Sequence, residues 1–433
     1  FRSALMADTS HLDRPDPKSC PLHEVDTFDA EFLQDPYPFY ARLRDEAPVF
    51  RDPKNNVVYV STYDLIRDVN SKPRIFSNKF GAQLRSGGVI EQDPEELAIA
   101  SQGWSVVDTM LTADPPEHTR YRKLAMKAFT YKRVLHMTEY VHDMVEELID
   151  AMPEGGCEFK SQFASKVPMY VISDALGVPR EKFDTFEEWS NAFIVQLSGV
   201  AEKPMRLWAA GKILEFQKYF VEVIEEKRAN PTDDVISDLV HADLSEEGDE
   251  RKMTYEELLS ILQQLLVAGN ETTAHTLTAG IYYLIQHPEQ MQKLQDDPSL
   301  IENFVEETLR YLSPTNNMWR VALEDAEIGG LPIAKNDLIL LRYGSGNRDA
   351  AKFENADDFD ISRENAKEHL AFGAGIHTCL GAQLARKEMV TAFPIVLKRL
   401  KNLRLDTSKT DLQYLPSILM RGVFNLHVLY DKD

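Results

Sequence analysis

Apolar residues recur at intervals of three and four along most of this chain, the spacing of amphipathic helices. From Val134 to about Arg228 one such helix follows another, as in Val141, Val145, Leu148 and Ile149. Breaks are predicted at residues 153–156, 177–179 and 199–204, where glycine and proline cluster. A shorter helix is predicted from Asp35, carrying Tyr40 and Leu43 and ended by Pro48. Strand patterns are fewer. Val57–Val60 reads as a strand after an Asn55-Asn56 turn. Residues 319–321 begin a β-rich portion with a turn at Gly329-Gly330. Residues 412–430 read as strands around Arg421-Gly422, with 417–419 a turn at a pocket. Residues 77–112 hold several Gly and Pro without sustained periodicity and are predicted to be one long loop, a length that is often functional. Residues 1–34 are expected to form a loose N-terminal tail, polar and Pro-containing as far as Cys20; residues 1–5, ahead of Met6, are set aside from fold reasoning.

The longest apolar pattern lies at residues 254–287. Thr254 and Glu257 form a capping-box pattern, and Pro288 stops the helix. A run of ~33 residues spans roughly 50 Å at about 1.5 Å per residue. It is apolar nearly all round, the signature of a buried helix. Its middle reads A-G-N-E-T-T, Ala268 to Thr273. Glycine inside a helix costs about 1 kcal/mol against alanine, and Glu271 places a charge in apolar surroundings. Broken local rules at the centre of a core helix point to function; the plainer reading is a kink with a polar cluster satisfied by neighbours.

Composition bounds the rest. A chain of 433 residues, 43% hydrophobic and 27% charged, is long enough for a large core; length alone suggests about two or three domains. Net charge of −22 argues against sequence-blind nucleic-acid binding and adhesion to anionic membranes. Nothing near the N-terminus approaches the roughly 18 apolar residues of a membrane span or a signal-peptide pattern. Cys20, Cys157 and Cys379 are too few and scattered for a disulfide framework. These features lead to the expectation of a cytoplasmic protein without membrane anchor. The acidic stretch S-E-E-G-D-E at residues 245–250 reads as a solvated loop, and no internal repeat is present.

Candidate chemistry centres on residues 372–381, F-G-A-G-I-H-T-C-L-G. Gly373 and Gly375 let the backbone take φ > 0 and let something bulky approach. Cys379 ends the loop just before a predicted helix at residues 380–400. Backbone N–H groups and the helix dipole are expected to lower its thiol pKa and make it a metal ligand. A lone Cys is wrong for structural zinc and suits a metal whose other ligands come from a cofactor; the alternative is a buried free cysteine in a Gly-rich turn. Upstream, residues 114–129 read as a helix entered through two prolines, with His118 and Arg122 on one face. Arg120, Lys123, Lys127 and Arg133 make the region a basic island, which alone would be a solvated face. Glu307 and Arg310 share a helix face, a pair worth about 0–1 kcal/mol if exposed.

Phe372, Gly373, Gly375, His377, Cys379 and Gly381 together resemble the haem-binding signature of the cytochrome P450 family, the haem-thiolate monooxygenases. His118/Arg122, residues 268–273, Glu307/Arg310 and the cysteine loop occur in that family's order. The resemblance implies a mainly α fold with a small β-rich lobe, one domain over residues 35–433, in place of the larger domain count that length suggested. It implies haem b held between the long central helix and the helix after Cys379. Cys379 would ligate the iron. His118, Arg122, Arg320 and His377 would serve its propionates, with Phe372, Ala268 and Gly269 beside it. Ala268 and Gly269 would leave room for dioxygen, Thr272 would hold water there, and Glu271 would relay protons. Glu307 and Arg310 would be scaffold, tied to the segment that includes Asn347, Arg348 and Arg363.

The implied function is dioxygen-dependent hydroxylation of a small or medium apolar organic molecule. Electrons would come from a ferredoxin and its NAD(P)H-dependent reductase, docking near Lys123, Lys127, Arg133 and Arg386. A peroxide-using peroxygenase and a haem-binding sensor or carrier are the rival readings. The substrate pocket is expected to draw on residues 77–112 and 183–208, Val267, Thr273, Asn316, Asn317, Met318, Ile418 and Leu419. The Asn316-Asn317 amides would meet a substrate hydroxyl or carbonyl. Terpenoids, steroids, fatty acids and aromatics all remain open.

Overall fold

A computed structural model describes residues 18–86, 93–128, 131–198, 201–242 and 251–433, with backbone only at 85–86, 127–128, 131–139 and 197–198. Its organising element is the capped helix anticipated above. The Thr254 side chain accepts the Glu257 N–H at 3.3 Å, and the Glu257 carboxylate accepts the Thr254 N–H at 2.8 Å. These two bonds satisfy otherwise orphaned donors and start a helix of 32 residues, Tyr255–Gln286, closed by Pro288.

In chain order the helices are α1 (Tyr37–Glu46), α2 (Tyr63–Asn70), α3 (Gly81–Ser86), α4 (Pro94–Ala100), α5 (Glu117–Ala128) and α6 (Tyr131–Ala151). There follow α7 (Lys166–Ala175), α8 (Phe183–Ser198), α9 (Lys203–Ala229), α10 (Val235–His241) and the long α11 (Tyr255–Gln286). The last are α12 (Pro288–Asp296), α13 (Ile301–Leu312), α14 (Tyr343–Gly346) and α15 (Ala382–Arg399). One sheet joins β1 (Val49–Asp52), β2 (Val57–Val60), β3 (Phe76–Ser77), β5 (Met318–Ala322) and β8 (Leu338–Leu341) in the order β1-β2-β8-β5-β3. β2 and β8 run parallel, and the other pairs are antiparallel, with Arg320 opposite Ile339. A second sheet joins β4 (Gly156–Glu158), β10 (His427–Lys432) and β9 (Leu400–Leu405). β6 (Ala326–Ile328) and β7 (Leu331–Ile333) make a hairpin through Gly329 and Gly330, both at positive φ.

α11 is buried along both halves because it runs between two helical cores. Leu258 to Val267 pack with α7, α8, α9 and α10. Leu277 to Leu284 pack with α6, α7, α13 and α15. The five-stranded sheet buries its two faces in separate apolar clusters. The fold is therefore mainly helical with small sheets. Among the described residues no helix is long and apolar enough to cross a membrane.

Three expectations need correction. Residues 22–34 are packed rather than loose: Val25, Phe32 and Leu33 are buried against the sheet. Gln34 and Tyr414 also exchange hydrogen bonds at 3.1 and 2.8 Å. Those partners are distant in sequence, so local pattern could not reveal them. Residues 77–112 contain α3 and α4. Asp93 caps α4 by accepting the Glu95 N–H at 2.8 Å, with Pro94 in the first turn, a signal the sequence did carry. Residues 412–430 form only the start of β10 and isolated bridges such as Tyr414 with Val423. The acidic stretch 245–250 lies outside the described residues.

Two sets of buried ionisable side chains stand out in the helical core. Glu307 and Arg310 are fully buried and form a triad with Arg363. Glu388, on α15, is 2% exposed, and its Oε2 has no hydrogen-bond partner among the described residues.

Candidate active site

The loop before α15 is shaped by its glycines. Gly373 and Gly375 have φ of 69° and 74°. A Cβ on Gly375 would stand 2.4 Å from the Asn70 carbonyl oxygen. A short 3₁₀ turn, Gly375–His377, follows, and the Cys379 N–H donates to the Phe372 carbonyl at 2.9 Å, closing the loop. Gly375→Ala is expected to cost about 1–3 kcal/mol from backbone strain, more if Asn70 cannot yield. Thermal melts check it, and an unchanged melting temperature would show that the loop adjusts freely.

Cys379 is enclosed by protein, yet its side chain is solvent-accessible. Burial pushes its thiol up; the Gly381 N–H, Arg122 and Arg386 oppose this without reversing it. This corrects the expectation of a lowered thiol pKa. Enclosure by protein outweighs the Gly381 N–H and the two arginines, and a metal cation on the sulfur would favour the thiolate.

Around the cysteine loop the fold gathers donors from three regions. His118 from α5 is buried, its ring 4.2 Å from that of His377. The Nε2 atoms of both rings are buried without a hydrogen-bond partner among the described residues. Burial, then Arg122, depresses His118. Burial, then His118, Arg320 and Arg122, holds His377 down to about 3. Both imidazoles are therefore neutral at neutral pH, with N–H groups to donate. Arg122 reaches the Thr378 carbonyl at 2.6 Å. Arg320, on β5, is buried; it donates to the Trp319 carbonyl at 2.6 Å and to Asn70 Oδ1. Two guanidinium groups and two imidazoles whose Nε2 atoms lack partners among the described residues, gathered around a loop with an accessible thiol, fit a prosthetic group with anionic carboxylates and a metal open to sulfur. The residues thus suit a haem.

Phe372 lies under the Arg386 guanidinium at 4.6 Å. Glu306 grips that arginine at 2.9 Å and His369 at 3.2 Å. Burial alone would push Glu306 up, but those partners hold it down to about 2. The Glu306–His369–Arg386 cluster, which sequence reasoning missed, locks the loop from outside. Arg386, one of the expected docking residues, is thus paired with Glu306 and partly exposed. Lys127 and Arg133 lie outside the residues described with side chains.

On α11, Ala268 is exposed and Thr272 half-buried, four residues apart on one face; the Thr272 hydroxyl donates to the Ala268 carbonyl at 2.9 Å. Gly269, three residues before Thr272 and so its neighbour on the helix surface, is half-buried, and a Cβ there would meet Ile172 of α7 at 3.6 Å, ordinary contact. Glu271 is 5% exposed and turned about 100° from Thr272 by helix geometry. Its Oε2 lies 3.4 Å from Nε2 of His275, a fully buried residue absent from the sequence expectations.

The expected pocket residues are mostly core. Val267 and Thr273 are buried, and Ile418 belongs to the cluster on the sheet. Asn316 and Asn317 are buried and accept from the Tyr40 hydroxyl at 2.9 and 3.3 Å; Asn317 also donates to the Ile418 carbonyl. Asn317 is thus tied into the fold at both its amide atoms, whereas the buried Nδ2 of Asn316 has no hydrogen-bond partner among the described residues. Met318 and Leu419 are only partly buried.

The family model for Cytochrome P450 matches residues 84–421. The polyketide biosynthesis cytochrome P450 PksS of Bacillus subtilis (strain 168) is 34% identical over 408 residues, covering 93% of this chain and 97% of its own. The cytochrome P450 monooxygenase PikC of Streptomyces venezuelae is 35% identical over 421 residues, covering 96% and 95%. Among solved structures, cytochrome P450 CREJ in complex with (4-ethylphenyl) dihydrogen phosphate superposes with a TM-score of 0.86 at 31% identity, covering 95% of this chain and all of that one.

Proposed function

Because the chain belongs to the cytochrome P450 family of monooxygenases, we propose that it hydroxylates a small or medium apolar organic molecule, using dioxygen and electrons supplied from outside. The family binds haem through a cysteine thiolate. For this chain the group is haem b, with Cys379 on the iron and His118, Arg122, Arg320 and His377 holding its carboxylates. Bound haem supplies dioxygen binding and activation. The carrying observation is the accessible Cys379 thiol on the loop around which two guanidinium groups and two imidazole nitrogens without partners among the described residues are gathered.

The chain's own part is positioning and proton handling. The Thr272 hydroxyl, on the same face as Ala268, orders water there. Glu271, next along the helix, holds the proton to be delivered, and its side chain must turn towards Thr272 to deliver it. The absorption spectrum of the reduced protein with carbon monoxide tests the assignment. Thiolate ligation moves the main band far to the red; a band typical of histidine-ligated haem would overturn it. Thr272→Ala is expected to lower product formed per electron pair several-fold and release peroxide, whereas a sensor or carrier would show no product to lose. Turnover with peroxide alone, and none with a donor protein, would favour the peroxygenase reading.

Electrons come from a ferredoxin and its NAD(P)H-dependent reductase, docking on the α5 side near Lys123. Rising salt is expected to slow reduction, because screening shortens the reach of exposed charges. A rate flat in salt would refute electrostatic docking.

A further inference from the structure

Along α11 every residue from Leu258 to Ile281 is buried except Gln263, Gln264, Ala268, Gly269 and Thr272. Gln264, Ala268 and Thr272 follow at four-residue steps, so they are neighbours along one stripe, about 6 Å of rise apart. Gln264 stands at the start of that stripe, and a crossing segment of chain holds its amide. The Leu111 N–H donates to Gln264 Oε1 at 3.0 Å, and the Leu111 carbonyl accepts from Asn78 Nδ2 at 3.0 Å. One turn of α11 earlier, the Val107 N–H donates to Ser260 Oγ at 3.0 Å. Next to Leu111, the Met110 backbone is hydrogen-bonded by the His377 ring. The segment therefore bridges α11 and the cysteine loop, and Gln264 lies at the bridge.

This arrangement fixes which way the amide points. A backbone N–H only donates, so the Gln264 oxygen must face Leu111 and the NH2 must face away from it. Among the described residues that NH2 has no hydrogen-bond partner. Its surroundings on the stripe are apolar: Leu111 is 38% exposed, and Ala268 lies open one turn on. The Thr272 hydroxyl already gives its proton to the Ala268 carbonyl. With Leu111 pinned at both its N–H and its carbonyl, the donor is set before any ligand arrives.

We propose that Gln264 is a specificity residue, its NH2 donating to an acceptor oxygen of the substrate. The inference rests on the reading of the Ala268–Thr272 face as the side where oxidation takes place. Held there, the oxygen places the reacting C–H bond further along the stripe, about 6 Å or more away. The substrate class narrows accordingly to an apolar body carrying a carbonyl, ester or hydroxyl oxygen set back from the oxidised carbon. A plain hydrocarbon would desolvate the NH2 and leave it unpaired, a loss that a site built to donate does not recover.

Medium-ring ketones such as cyclododecanone, each paired with the alkane of the same ring size, are the probes. Equilibrium dialysis with the haem-loaded protein at about pH 8, where an accessible glutamate is ionised, gives the preference for ketone over alkane. In Gln264→Leu this preference is expected to fall about three- to tenfold, and in Gln264→Glu at least as far. Glutamate still accepts the Leu111 N–H, so the segment stays in place, but it offers the ketone no donor. A preference that survives in Gln264→Leu, or no ketone bound at all, overturns the proposal. If Gln264→Leu loses it and Gln264→Glu keeps it, Gln264 acts only by holding the segment, and the donor role is wrong. Product analysis gives a second check. The parent is expected to hydroxylate the ring at carbons remote from the carbonyl, and Gln264→Glu to spread its products around the ring; products already spread in the parent count against the donor. Dialysis does not depend on turnover, so a Thr272→Ala variant with unchanged product yield would remove the reading of that face without being mistaken for loss of the donor.

Discussion

Glu307→Gln is expected to destabilise the protein by about 3–5 kcal/mol, with no direct contact to the reacting centre. Glu307 receives the Arg310 Nε and Nη2 atoms at 2.7 Å, Arg363 at 3.1 Å and the Asp360 N–H at 2.9 Å. Arg310 also donates to the carbonyls of Asn347, Ala356 and Asp358 at 2.7 to 2.9 Å. Glutamine keeps the shape but removes the one negative charge between two buried guanidinium groups, which cannot lose their protons. Urea unfolding should show a lower midpoint at unchanged slope. Arg42 and Glu46 make a pair of the same 2.7 Å length on the surface. Glu46→Gln should leave the midpoint nearly where it was, because water replaces what is lost. If the two variants behaved alike, the carbonyls alone would be holding Arg310 and Arg363.

The second large effect depends on pH. Burial, with no opposing partner, pushes Glu388 up to about 8. Unfolded, the same carboxyl titrates in its usual acidic range, so between that range and about pH 8 the folded state binds the extra proton. Stability therefore falls as pH rises through this window, by about 1.4 kcal/mol per pH unit, to at most roughly 5 kcal/mol once the group is charged in both states. Below the usual range both states are protonated and nothing is lost. Glu388→Gln, neutral at every pH and nearly the same shape, should match the parent near pH 4 and melt well above it at pH 9. Melting profiles that stay parallel from pH 4 to 9 would show that the carboxyl ionises normally.

Much of the architecture was legible in the chain because local rules suffice for it. The length and ends of α11 follow from the Thr254/Glu257 capping box, an unbroken apolar run and Pro288. β2 follows from four consecutive β-formers after Asn56, whose φ is positive. The order of the four motifs pointed to the cytochrome P450 family, which the comparisons bear out. α4 was readable too, from Asp93-Pro94, but was overlooked within a Gly-rich stretch. Nothing local could have shown that Glu306, His369 and Arg386 lock the cysteine loop, since their spacings in sequence are long.

By itself, then, the sequence determined the helices, their caps, the φ > 0 glycines before Cys379 and the family, all properties of spacing and residue type over a few turns. Only the tertiary structure decided where side chains point and what surrounds them. It turned the Asn316-Asn317 amides onto Tyr40, placed Gly269 against Ile172 and raised the Cys379 thiol that the helix terminus alone would have lowered. It set Glu271, Glu187 and Glu158 on the wall of one small cavity. The physical reason is the same in each case: desolvation and charge act through space, from neighbours that chain folding alone selects.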